Sequence, residues 1–222
     1  NTVREIYNEA SSVLGYDISA LSFHDKNNEI NLTKYTQPVL MTHQIACYEY
    51  FKDFHGGEIK PMLLAGHSLG EYTALVVSGS ITFEEGISLV SKRGELMGKH
   101  GSGSMLAMPF ERESTADIID QSNCEIATIN QLKQTVVGGA DADIDRLAEQ
   151  LATDYPRKRT VKLKTEGAFH TSLMTRAAVE FKEHLKGVNF SEMATPVLSN
   201  IHQNYTSLME PNLKSCFTIN CS

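Results

Sequence analysis

The stretch Gly66-His67-Ser68-Leu69-Gly70-Glu71-Tyr72 constrains this chain more than any other. It follows the apolar run Pro61-Met62-Leu63-Leu64-Ala65 and precedes a helix-like segment over 72–77. A strand, a sharp turn with serine at its apex, and a helix form the context in which Gly-x-Ser-x-Gly makes a nucleophile elbow. Gly66 and Gly70 carry no Cβ, so strand and helix can approach closely while the turn holds a strained serine. Ser68 is thereby lifted clear of the backbone. The N–H of Leu69, at the helix N-terminus, points towards a developing oxyanion.

The rest of the chain supplies a frame for that turn. Apolar residues at helical spacing predict a helix over 3–14, stopped by Gly15, and a short helix over 18–23. Thr36-Gln37-Pro38 is expected to open a helix with proline in its first turn, where a missing N–H has no partner to lose; it runs to Gly56-Gly57. Thr82 reads as an N-cap, with Glu84 and Glu85 in the first turn of a helix over 83–97. Gly101-Ser102-Gly103-Ser104 is a joint, and the pattern changes beyond it. Strands are expected over 105–108, 125–129, 135–138 and 159–164, and helices over 113–122 and 141–152. That β-α-β-β-α-β order marks a ferredoxin-like unit. Gly167-Ala168-Phe169-His170, a helix over 172–185 and a strand over 196–199 follow. The expected fold class is α/β: an α/β-hydrolase-like body from residues 1–101 and 165–222, with an inserted ferredoxin-like small subdomain over 102–164.

Bulk properties narrow the function classes. A chain of 222 residues, 41% hydrophobic and 21% charged, is of ordinary globular composition and can bury a sizeable core. Its net charge of −7 argues against nucleic acid as a partner. No apolar run approaches the length of a membrane span, so no membrane association is expected. Cys47, Cys124, Cys216 and Cys221 form no C-x-x-C pair, disulfide framework or zinc pattern, which favours a reducing compartment. Neither a metal nor a resident cofactor is expected.

A serine on an elbow is a weak nucleophile until a base takes its proton. Of the eight histidines, His170 stands out because it follows a strand and a glycine-containing turn and precedes a helix. His67 adjoins the serine, but neighbouring side chains on a sharp turn point apart, so it is expected to support the turn. Arg93 lies within a helix. It is either solvated or paired with nearby Glu95, or it faces the elbow, where its planar fork could hold a carboxylate at two points.

Gly-His-Ser-Leu-Gly-Glu-Tyr, Arg93-Gly-Glu-Leu-Met97 and Gly-Ala-Phe-His-Thr together resemble the malonyl-CoA:acyl carrier protein transacylase family of fatty-acid and polyketide biosynthesis. The similarity extends to Thr36-Gln37-Pro38 and to Pro196-Val-Leu-Ser-Asn200. The resemblance implies that Ser68 forms an acyl ester, that His170 is general base and then general acid, and that the Leu69 N–H is one oxyanion donor. It implies that Arg93 pairs with the free malonyl carboxylate. Met97 would line the acyl pocket, the alternative being plain core packing, and His67 is counted among the substrate-side residues. Phe169 would fill the room that a branching methyl needs, a selectivity of roughly 1–3 kcal/mol. Asn130 and Gln134 match a loop beside the cleft.

Arg157, Lys158, Arg159 and Lys162, with Lys164, form the one basic concentration. It is either a solvated strand edge or a docking site for an acidic carrier protein or CoA phosphates. The implied activity is ping-pong transfer of malonyl from malonyl-CoA to the phosphopantetheine thiol of acyl carrier protein, by a monomer in the cytoplasm or an organellar matrix. An editing acyl hydrolase of the same fold is the alternative, although it would need no carboxylate clamp. An inactive carrier-docking module is a third. The family has a Gly-Gln-Gly loop upstream of this sequence and a strand and helix beyond Cys221-Ser222, so the large subdomain is expected to be incomplete at both ends.

Overall fold

A computed structural model of the chain describes residues 2–57, 59–200 and 205–206, and these divide into two compact units. Of the described residues, the first holds 2–57, 59–95, 181–200 and 205–206. Its helices are α1 (Thr2–Leu14), α2 (Ile18–Phe23), α3 (Thr33–Phe54), α4 (Leu69–Val77) and most of α5 (Phe83–His100). Met41 and Ile45 of α3, Leu75 of α4, and Ile87, Leu89 and Val90 of α5 are buried. Fully burying a side chain of this kind stabilises by roughly 1.5–3 kcal/mol.

This unit departs from the sequence expectation at two places. The third helix begins at Thr33 rather than Thr36, so Pro38 lies in its second turn. The Leu32 carbonyl accepts from the N–H groups of Tyr35 and Thr36, at 2.8 and 2.9 Å, and the Thr36 hydroxyl donates to the Ile30 and Leu32 carbonyls. Polar closure, invisible to apolar periodicity, starts the helix early, and Pro38 forgoes its bond to the Lys34 carbonyl. The run 61–65, expected to be a strand, makes a single parallel bridge, Leu64 to Val197. It has one neighbouring segment among the described residues, and Met62 is 93% exposed. That neighbour is β5 (Val197–Leu198), which also pairs antiparallel with β6 (Tyr205–Thr206).

The fifth helix opens on a reciprocal cap: the Thr82 N–H donates to Glu85 Oε2 at 2.8 Å, and the Glu85 N–H to the Thr82 hydroxyl at 3.2 Å. Further along, a Cβ on Gly94 would lie 2.5 Å from the Thr33 carbonyl oxygen. Glycine is what lets α5 lie directly against the start of α3.

The second unit holds residues 96–180. It contains β1 (Ser104–Met108), α6 (Arg112–Ile119), β2 (Glu125–Gln131), β3 (Gln134–Gly139), α7 (Asp141–Asp154) and β4 (Val161–Lys162), then a 3-10 turn (Ser172–Met174) and the start of α8 (Thr175–Leu185). The strand order is β2-β3-β1-β4 with every pairing antiparallel. Leu106, Met108 and Val137 from the sheet pack with Ile144, Leu147 and Leu151, which the period of α7 places on one helix face. Among the described residues, no helix is long and apolar enough to cross a membrane.

Candidate active site

Ser68 is the residue just before α4, with φ 51° and ψ −104°. A non-glycine residue held there costs about 1–3 kcal/mol, which the surroundings must offset. Gly66 shows how tight the turn is: a Cβ there would lie 2.0 Å from the Gly70 carbonyl carbon. Gly70 has open space where its own Cβ would be, so the close approach needs glycine on the Gly66 side only. The first amides of α4 are unequal. Those of Gly70 and Glu71 donate to the His67 and Ser68 carbonyls, at 2.9 and 3.2 Å. The Leu69 N–H has no acceptor among the described residues. His67 supports the turn through that carbonyl, while its side chain is exposed.

Arg93 is 3% exposed, and Glu95 pairs with Lys92 instead, so Arg93 is not the solvated helix residue it could have been. Its Nη2 donates to Ser68 Oγ at 3.0 Å and its Nη1 to Gln37 Oε1 at 2.8 Å. The guanidinium carbon lies 5.5 Å from the centre of the Tyr72 ring, a cation–π distance. Its buried Nε has no hydrogen-bond partner among the described residues. Burial pulls the pKa of this group down from the usual arginine value, opposed by Tyr72 and Glu71.

Two further residues tie the elbow to the end of β5. Glu71, 3% exposed, accepts from the Asn200 N–H at 3.0 Å. Burial pushes its carboxyl up to about 7, with the Asn200 hydrogen bonds and the Arg93 charge pulling partly back. The Asn200 carboxamide donates to the Gly66 carbonyl at 2.8 Å and accepts from the Ser68 N–H at 3.4 Å. Gln37, Glu71 and Asn200 were not among the site residues expected from sequence. Gln37 and Glu71 are buried and Asn200 is half-buried; what they share is a polar side chain bonded to a distant segment, and that needs the fold to be seen.

The remaining expected residues belong to the second unit. His170 is half-buried with φ 61°, a second strained non-glycine position. Its turn is pinned by the Ala168 N–H, which donates to the Ser102 carbonyl at 2.8 Å, and by the Thr171 hydroxyl, which donates to the Ala168 carbonyl at 2.6 Å. Phe169 beside it is half-buried, and Met97 is buried. Asn130 and Gln134 lie not in a loop but on β2 and β3, at the closed end of a tight hairpin. Arg157, Lys158 and Arg159 are exposed and precede β4, which is shorter than the expected strand. Lys158 donates to the Pro109 carbonyl at 3.2 Å and sits 4.1 Å from the centre of the Phe110 ring. Lys162 pairs with Asp145. Cys47 is an exposed free thiol and Cys124 a buried one, while Cys216 and Cys221 lie outside the described residues. No His, Cys, Asp and Glu cluster among the described residues could hold a metal ion.

A family profile described as "Acyl transferase domain" matches residues 2–219. The polyketide biosynthesis malonyl CoA-acyl carrier protein transacylase PksC of Bacillus subtilis is 35% identical over 203 residues, covering 90% of this chain and 70% of PksC. A malonyl CoA-acyl carrier protein transacylase from Burkholderia pseudomallei superposes with a TM-score of 0.90 at 31% identity, over 98% of this chain and 76% of that one. PlMCAT, solved with AntF, a type II polyketide acyl-carrier protein, superposes with a TM-score of 0.83 at 31% identity, over 93% and 68%. The chain spans 64% to 70% of the length of the malonyl CoA-acyl carrier protein transacylases among its curated relatives. With a mixed α/β fold, a strained elbow serine and a match over nearly its whole length, the chain belongs to the acyl transferase domain family of enzymes.

Proposed function

We propose that this protein transfers a malonyl group from malonyl-CoA to the phosphopantetheine thiol of an acyl carrier protein through a malonyl ester on Ser68. The observation that carries the reading is Arg93, a buried guanidinium that touches the nucleophile. Among the described residues it makes no ion pair with a carboxylate, and its Nε has no acceptor. A buried charge without an ion-paired countercharge is expensive. The free carboxylate of a malonyl group supplies the missing countercharge in a two-point contact, whereas an acetyl group offers nothing. The names of PksC and of the Burkholderia transacylase, and the carrier protein solved with PlMCAT, fit the same donor and acceptor.

His170 takes the Ser68 proton as Oγ attacks the thioester carbonyl, and the oxyanion is stabilised by the uncommitted Leu69 N–H. The carbonyl re-forms, the C–S bond breaks, and the CoA thiolate leaves with the proton from His170. The carrier thiol then gives its proton to His170 and attacks the ester, and Ser68 recovers a proton as the malonyl thioester departs. This is ping-pong chemistry. Phe169, next to the base, limits the space for a branched acyl chain, and the exposed Arg157 and Arg159 are the docking residues for an acidic carrier. The strand order β2-β3-β1-β4 supports a ferredoxin-like subdomain over 102–164, inserted in an α/β-hydrolase-like body. The exposed free thiol of Cys47 suits a reducing, cytoplasmic setting.

Intact-mass analysis after incubation with malonyl-CoA tests the reading. A malonyl adduct is expected on Ser68. It should be absent in Ser68→Ala, formed roughly 10²- to 10⁴-fold more slowly in His170→Ala, and no longer preferred over acetyl in Arg93→Ala. No adduct on the intact protein overturns the proposal. Release of malonate to water, with none passed to a carrier thiol, would reassign the protein to hydrolysis.

A further inference from the structure

The parallel bridge beside the elbow breaks in an informative way. The Leu64 N–H donates to the Pro196 carbonyl at 2.9 Å and the Leu198 N–H to the Leu64 carbonyl at 2.8 Å. Continued by the evenly spaced pattern of a parallel pair, the ladder would next join the Gly66 N–H to the Leu198 carbonyl and then the Asn200 N–H to the Gly66 carbonyl. The Asn200 N–H turns away to the buried Glu71 carboxyl instead, at 3.0 Å. Its side chain replaces the lost rung: Nδ2 donates to the Gly66 carbonyl at 2.8 Å, and Oδ1 accepts from the Ser68 N–H at 3.4 Å. One planar carboxamide thus satisfies a carbonyl and an amide on either side of His67, at the point where the chain enters the strained serine.

From this we infer that Asn200 is a positioning residue for the nucleophile: it holds the elbow backbone so that Ser68 keeps its left-handed conformation and its Oγ stays against Arg93. Glu71 sets Asn200 in place from the first turn of α4, so the end of β5 and the serine form one hydrogen-bonded assembly. The inference rests on the acyl-serine reading only for the identity of the donor. The carboxamide touches no reacting atom. Its loss should therefore affect the rate of Ser68 chemistry and leave the grip of Arg93 on a carboxylate intact.

The test uses Asn200→Ala and Asn200→Asp in the intact protein. The aspartate keeps an acceptor for the Ser68 N–H but, when ionised, has no donor for the Gly66 carbonyl. A fluorophosphonate probe reads the reactivity of Ser68 without any acyl donor. Phosphonylation per folded molecule should slow by roughly 10- to 100-fold in both variants, as expected when a reacting group is misplaced by a fraction of an ångström to 1 Å. With malonyl-CoA, kcat should fall in parallel while KM stays within about threefold, because ground-state binding is untouched. Wild-type phosphonylation rates in the variants would overturn the inference, even with a lowered Tm, since that pattern marks a merely structural residue. If Asn200→Ala does not fold, Asn200→Asp decides alone on the same criterion. A wild-type protein that takes the probe on Ser68 but no malonyl group would sink the malonyl reading, and the probe rates would still judge Asn200.

Discussion

Glu71 shows how one residue can link the site to stability. Its carboxyl, 3% exposed, holds its proton up to about pH 7, against an ordinary value of 4.5. Below pH 4.5 the folded and unfolded chains both carry the proton, so this group leaves stability unchanged. Between 4.5 and 7 the unfolded chain has released it and the folded chain has not, so stability falls as pH rises. The whole loss is roughly 3 kcal/mol by linkage. Denaturant midpoints measured from pH 5 to pH 8 should show that decline in the native protein and a much flatter profile in Glu71→Gln. An unchanged slope in the variant would assign the pH dependence to other groups. Sequence legibility at this scale follows the same physics. Gly66, Ser68 and Arg93 could be singled out because a turn or a fork needs those residue types whatever surrounds them. Gln37 and Asn200 could not, since each acts through a partner far away in the chain, and a side-chain amide leaves no periodic trace.

Among the elements, the contact of α5 with α3 decides whether Arg93 reaches the elbow. Gly94 sits beside Arg93 in sequence, and a Cβ there would lie 2.5 Å from the Thr33 carbonyl oxygen and 3.0 Å from the Lys34 Cα. Both are backbone atoms that cannot rotate aside. Gly94→Ala gains helix propensity, about 1 kcal/mol, but overpacking of this kind costs roughly 1–3 kcal/mol. Since the clash is with main chain, destabilisation should win. The variant should show a lower Tm, and its preference for malonyl over acetyl should weaken as Arg93 shifts away from Gln37. A Tm at or above that of the native protein would show that the two helices part at no cost. The helices themselves were legible because amphipathic spacing and caps such as Thr82–Glu85 are local. The elbow strand was not. Its apolar run reads as a strand, yet among the described residues it makes a single bridge to β5, because pairing depends on neighbours that a local pattern does not contain.

Over the 222-residue chain as a whole, a net charge of −7 would oppose the approach of the proposed acidic carrier protein, so a local basic patch would have to overcome it. The basic residues before and in β4 do not contribute equally. Lys158 is tied to the Pro109 carbonyl and the Phe110 ring, and Lys162 is paired with Asp145. Arg157 and Arg159 are exposed, with no ion pair among the described residues, and so remain available to a partner. Reversing both, Arg157→Glu with Arg159→Glu, should raise KM for the carrier roughly tenfold at low salt, with the difference shrinking towards 0.5 M salt as screening removes it. Malonylation of Ser68 by malonyl-CoA should stay within about twofold, since that half-reaction involves no carrier. Lys158→Ala should behave differently, lowering Tm with little effect on the carrier KM, because that amine serves the fold of its own unit. A double charge reversal that leaves the carrier KM unchanged at every salt concentration would remove this turn from the docking surface. Malonylation slowed to the same extent as transfer would point to CoA phosphates as its ligand instead.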